Sequence, residues 1–147
     1  MSINTQIKIS LSLISFMFLD LFLNTALFNT FFSFNLFFVN IFLLGRKYFS
    51  NKLIISIMII GMFYESFFST NYIGIITAGI FLVLIFSNLT ILVDSKVVLF
   101  FIFSISYFIF YSSLRAGVNF LNLNLLISLL LNFLIFYQID KLIKRDV

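Results

Sequence analysis

Tyr72–Val93 reads YIGIITAGIFLVLIFSNLTILV, 22 residues without a single charge. A helix crosses a bilayer with about 20 apolar residues, within a range of about 17–25. No small soluble core could bury such a segment on every face. The stretch therefore reads as a membrane span. The rest of the chain agrees: 63% of its residues are hydrophobic and 10% are charged, where soluble domains carry roughly 25% charged residues.

Working outward from this run, charged and polar clusters divide the chain into five more. They are Ile9–Phe28, Phe31–Leu44, Leu53–Phe68, Val97–Leu114 and Leu121–Ile139. Gly45-Arg46-Lys47 closes the second. Two divisions lack a charge and rest on polar turns, at Asn24-Thr25-Ala26 with Asn29-Thr30, and at Ser69-Thr70-Asn71. Ser, Thr and Asn side chains suit such turns because they bond nearby backbone groups. The second and third runs are short for a full span. Each is expected to tilt little, to extend by lysine snorkelling, or to form a re-entrant hairpin. The fold expected is an all-α integral membrane protein, one six-span helical bundle over residues 1–147.

The basic residues provide an independent test of six spans. With the N-terminus inside, Lys8, Arg46, Lys47, Lys52, Lys96, Lys141, Lys144 and Arg145 all fall on the inner side, and Arg115 alone falls outside. That is the asymmetry expected of cytoplasmic loops. It places both termini in the cytoplasm and the protein in a bacterial plasma membrane. The net charge of +4 is thus a matter of topology. The basic residues end apolar runs rather than lining one face, so no nucleic-acid partner is expected. The first run carries Asp20 and lacks a small-residue cleavage site, so it reads as a span rather than a signal peptide.

The chain has no Cys and no His, which excludes disulfides, thiolate metal sites and imidazole chemistry. No nucleophile–base pair is present either, and no cofactor is expected. Asp20 and Glu65 could imitate an intramembrane carboxylate dyad, but Glu65 lies in no protease-like motif. The expectation is a protein that is not an enzyme.

Three charges belong to the outer half of the bundle. Asp20 lies about 18 Å along its helix from Lys8, and Glu65 about 20 Å from Lys52, at 1.5 Å per residue. Arg115 ends the fifth run. Ionisable groups within spans usually pair or face water. Arg115 is therefore expected to neutralise Asp20 or Glu65 at a partner-docking site. The bland alternative is that each charge snorkels to the interface. Gly61, Gly74 and Ala78 are small residues within spans, and Gly74-x-x-x-Ala78 is expected to pack inside the bundle. Asn40 and Asn132 either bond across helices or reflect the codon composition that also enriches Phe, Ile and Lys.

The stretch Ile60-Gly61-Met62-Phe63-Tyr64-Glu65-Ser66-Phe67-Phe68-Ser69-Thr70-Asn71-Tyr72-Ile73-Gly74-Ile75 resembles the signature of the bacterial rod shape-determining MreD family. There a Gly is followed four residues later by an acid, usually Asp, then a short turn and a second Gly opening the next span. Gly61, Glu65 and Gly74 match these roles. Phe34-Asn35-Leu36 is similar to the family's entry into its second helix, and Leu121–Lys144 is similar to its basic end. The resemblance implies a non-enzymatic scaffold of lateral wall synthesis. It would work with MreC and, directly or indirectly, with the actin-like MreB and the elongation glycosyltransferase/transpeptidase pair. It also implies a fold similar to the substrate-binding S components of energy-coupling-factor vitamin transporters. An S component is the alternative function, although the short outer loops leave little material for a ligand lid. A small channel is a third reading, disfavoured by the absence of Pro-broken helices.

Overall fold

The computed structural model describes residues 3–26, 34–67, 74–93, 95–114 and 123–145. Within them lie six α-helices: α1 (Ile3–Ala26), α2 (Leu36–Tyr48), α3 (Asn51–Glu65), α4 (Ile75–Leu89), α5 (Lys96–Leu114) and α6 (Leu123–Arg145). A 3-10 turn, Thr90–Leu92, extends α4. The polar turns expected at residues 29–30 and 69–71 lie outside the described residues, as does Arg115.

Among the described residues, four helices are long and apolar enough to cross a membrane: Asn4–Leu23 within α1, Ile75–Leu92, Lys96–Leu114, and Leu123–Leu142 within α6. The other two fall short of the six full spans read from the sequence. α2 has 13 residues and α3 has 15, lengths of about 20 and 22 Å against a hydrocarbon core of about 30 Å. α2 begins at Leu36 rather than Phe31, and it includes Arg46 and Lys47 rather than stopping before them. Phe49 and Ser50 alone separate it from α3. The Ser50 side chain accepts from Leu53 N at 3.3 Å, satisfying one of the orphan donors of the α3 N-terminus.

The shortest helix is the centre of the bundle. α2 packs against every other helix, and Phe37, Phe38, Val39, Asn40, Ile41, Phe42, Leu44 and Gly45 are all buried. Phe38 and Phe42 interlock edge-on with Phe103 of α5, both at 5.1 Å. Phe42 meets Phe136 of α6 at 5.2 Å. Such tilted and T-shaped pairs favour the ring quadrupoles. Much of the Phe content thus fills a specific core. The outward faces are equally apolar, with Phe18, Phe22, Phe63 and Phe101 more than half exposed. A protein that is apolar both inside and outside suits lipid.

Close approach between helices uses small residues, in a register different from the expected one. Ala78 is exposed, and the position of a Cβ on Gly74 is open space. The inward residue is Gly79, where a Cβ would come within 2.7 Å of Ser113 Oγ on α5. The inner face of α4 runs through Ile76, Thr77, Ile80, Val83, Leu84 and Ser87, and this stripe turns Ala78 toward lipid. Gly45 of α2 packs on Leu84 and Ser87 of α4, and Gly61 of α3 packs on Ile80 of α4.

Candidate functional site

A helix that begins inside a bundle leaves its first N–H groups without intrahelical partners. Away from water, each such orphan costs free energy comparable to a lost hydrogen bond. α2 begins in this way, and its own N-cap side chain, Asn35, makes no capping bond. Polar side chains from four other helices meet at this end, and two of them, Asp20 and Asn132, accept from its backbone N–H groups.

From α1, Asp20 is fully buried. Its Oδ1 accepts from Leu36 N at 2.7 Å, and the Phe37 N–H is also directed at the carboxylate. From α3, Tyr64 donates its hydroxyl to Asp20 Oδ2 at 2.8 Å. From α6, Asn132 Oδ1 accepts from Asn35 N at 2.9 Å. From α5, the Tyr107 hydroxyl oxygen accepts from Asn35 Nδ2 at 2.7 Å. Asn132 is oriented in turn by donating to Ser128 O at 2.7 Å. The Tyr64 ring packs on Phe37 with centroids 4.6 Å apart. A carboxylate at a helix N-terminus also meets the positive end of the helix dipole.

Glu65 repeats the arrangement for α4. Its Oε1 accepts from Gly74 N at 2.6 Å. Its Oε2 accepts from Thr77 Oγ1 at 2.5 Å and from Thr77 N at 3.3 Å. Gly74 is the N-cap, with φ +94°, a backbone conformation that a Cβ disfavours. The three residues matched to the family signature thus form one joint. Gly61 brings α3 against α4, Glu65 ends α3, and Gly74 presents the N–H that Glu65 binds.

The two acids are therefore not a dyad, since each serves a different helix N-terminus. The pairing of Arg115 with Asp20 or Glu65 lies outside the described residues, but both carboxylates are already bound by backbone and hydroxyl donors. Of the two Asn residues left open by the sequence, Asn132 bonds across helices to Asn35. Asn40 does so as well, donating to Ser12 Oγ of α1 at 3.2 Å. Tyr64, Tyr107 and Asn35 are members that the sequence did not single out.

The opposite end of the bundle is basic. Arg46 of α2 meets Asp140 of α6 at 3.4 Å, and Lys96 Nζ of α5 lies 5.9 Å from the centre of the Tyr137 ring of α6. Chemically, the acidic end holds backbone in place. Among the described residues, no cluster of three His, Cys, Asp or Glu side chains could hold a metal ion. No protein-family model matches the chain, and no curated protein or solved structure shows significant similarity to it.

Proposed function

We infer that this chain is a non-enzymatic membrane scaffold of the MreD type, serving bacterial cell elongation by docking partner membrane proteins. One observation carries the reading. The residues on which the family resemblance rests, Gly61, Glu65 and Gly74, act together in a single α3–α4 joint. A signature that fixes one helix on another suits a protein whose product is a rigid surface. The Asp20 cluster supports the same reading, because it spends the buried polar groups on internal architecture.

In this reading all six helices enter the bilayer of the plasma membrane, α2 and α3 over part of its depth. Both termini face the cytoplasm. What supports that orientation is the common basic end formed by Arg46 with Asp140 and Lys96 with Tyr137, together with the excess of Lys and Arg expected on the cytoplasmic side. The partners proposed are MreC and, directly or through it, MreB and the elongation glycosyltransferase/transpeptidase pair. The test is affinity capture of the tagged chain from its own host membrane in mild detergent. Recovery of MreC or the wall-synthesis pair is the expected result. Recovery of ATPase subunits with a shared transmembrane coupling protein, without wall-synthesis proteins, would replace this reading with the vitamin-uptake one.

A further inference from the structure

α1 and α6 flank α2 without forming a packed interface with each other, and a groove of about 230 Å³ opens between them. Its floor follows α2 through Leu36, Val39, Asn40, Leu43, Leu44 and Lys47. These positions recur at helical spacing, so the groove runs the length of α2, about 18 Å. Phe16 of α1 and Ile139 of α6 form its walls. Ser12 and Asn40, both in its lining, are hydrogen-bonded to each other at 3.2 Å. The lining is otherwise apolar up to Tyr48 and Lys47 at the basic end.

We propose that this groove binds one anionic phospholipid, with an acyl chain along α2 and the phosphate at Lys47. The lining suits a hydrocarbon chain, since the floor is mostly apolar along about 18 Å of α2. The charges select the headgroup. Asp140, beside the groove, is held by Arg46 at 3.4 Å, so that pair is neutral. Lys47 is exposed, and so is Lys8, which lies one helical turn from Ser12 toward the same end. The two lysines leave the mouth positive, and basic pockets between helices on the cytoplasmic side suit anionic headgroups. Tyr48 adds an amphipathic ring at headgroup depth.

The proposal is independent of the wall-synthesis partners. Its test is native mass spectrometry of the purified full chain with equimolar phosphatidylglycerol and phosphatidylethanolamine. One retained phosphatidylglycerol per chain, in preference to the zwitterionic lipid, is expected. Replacing both exposed lysines, Lys8→Gln with Lys47→Gln, should cost that preference about 30-fold, roughly fivefold for each charge near the surface. Leu43→Trp should block the chain and reduce both lipids. Equal retention of the two lipids by the unaltered chain, or an unchanged ratio in the double lysine variant, would overturn the proposal. Because the chain has no Cys, Leu43→Cys introduces a single thiol in the groove. Cross-linking of that thiol in membranes to a second copy or to another protein would assign the groove to that occupant instead.

Discussion

Replacing Asp20 with Leu separates two opposite expectations. A carboxylate that merely snorkels from a span costs free energy in apolar surroundings, so a Leu of similar size would leave stability unchanged or raise it. A carboxylate that caps α2 has the reverse effect. Asp20→Leu would strand the Leu36 N–H, 2.7 Å from Oδ1, the Phe37 N–H and the Tyr64 hydroxyl, 2.8 Å from Oδ2. All three meet a carboxylate that is fully buried, and each stranded donor costs about 1–3 kcal/mol. The expected loss is about 3–9 kcal/mol, a large part of the roughly 5–15 kcal/mol that holds a typical domain together. The assay is reversible unfolding in mixed micelles with increasing denaturing detergent, followed by circular dichroism. Tyr64→Phe in the Asp20→Leu background removes one stranded donor, so the double variant should regain about 1–3 kcal/mol. Tyr64→Phe alone should be destabilising, since it takes a donor from the carboxylate. An Asp20→Leu protein at least as stable as the parent would refute the capping argument. So would a double variant whose loss is the sum of the two single ones.

Glu65→Ala should destabilise the α3–α4 joint by about 2–4 kcal/mol, as Gly74 N, Thr77 N and Thr77 Oγ1 lose a common acceptor, and Glu65→Gln by less; the same unfolding assay reads both. Gly74→Ala forces a Cβ onto φ +94° and should cost about 1–2 kcal/mol although its surroundings are open. Gly45→Ala places a Cβ on top of Ser87 Oγ and should lower the unfolding midpoint, with Ser87→Ala restoring part of the loss. For topology, Lys47→Cys and Lys141→Cys in this cysteine-free chain should react with an impermeant maleimide only after the inner face is opened. Labelling of either in intact cells would reverse the proposed orientation.

The legible part of this fold was whatever depends on transfer free energy along the chain. Long uncharged runs such as Tyr72–Val93 announce their own solvent; α5 and α4 with its 3-10 turn fall within three residues of the runs read for them, while α6 continues six residues past Ile139 to Arg145. The short helices were less legible, because a helix wrapped by others needs neither full span length nor an uncharged end. That is how α2 takes in Arg46 and Lys47. Register was not legible either. Gly74-x-x-x-Ala78 and Gly79 differ by one position, about 100° around a helix. Only the tertiary placement of Ile76, Thr77, Ile80 and Val83 decides that Gly79 faces inward.

The acids show a kind of partner that sequence reasoning does not weigh. Asp20 and Glu65 stood out because an isolated charge in a span calls for a counterpart, and the obvious counterpart was a charged side chain such as Arg115. A helix N-terminus is an alternative that no residue letter announces, since its donors are backbone N–H groups at Leu36, Gly74 and Thr77. It becomes visible only when the chain path is known. The requirement itself still follows from physics. A bundle containing a helix of about 20 Å in a core of about 30 Å must end that helix at depth, and its orphan donors must meet acceptors there. Asn132 meets part of the need as a neutral amide, accepting from Asn35 N. A carboxylate adds two acceptor oxygens and a charge opposed to the helix dipole. Tyr64 then occupies the second oxygen of Asp20. The buried acid of α1 is thus a consequence of the shortness of α2. Extending α2 at its N-terminus with helix-forming residues should relieve the dependence on Asp20. In such a lengthened chain Asp20→Leu should cost less than in the parent, and an equal cost in both would mean that Asp20 serves something other than the helix end.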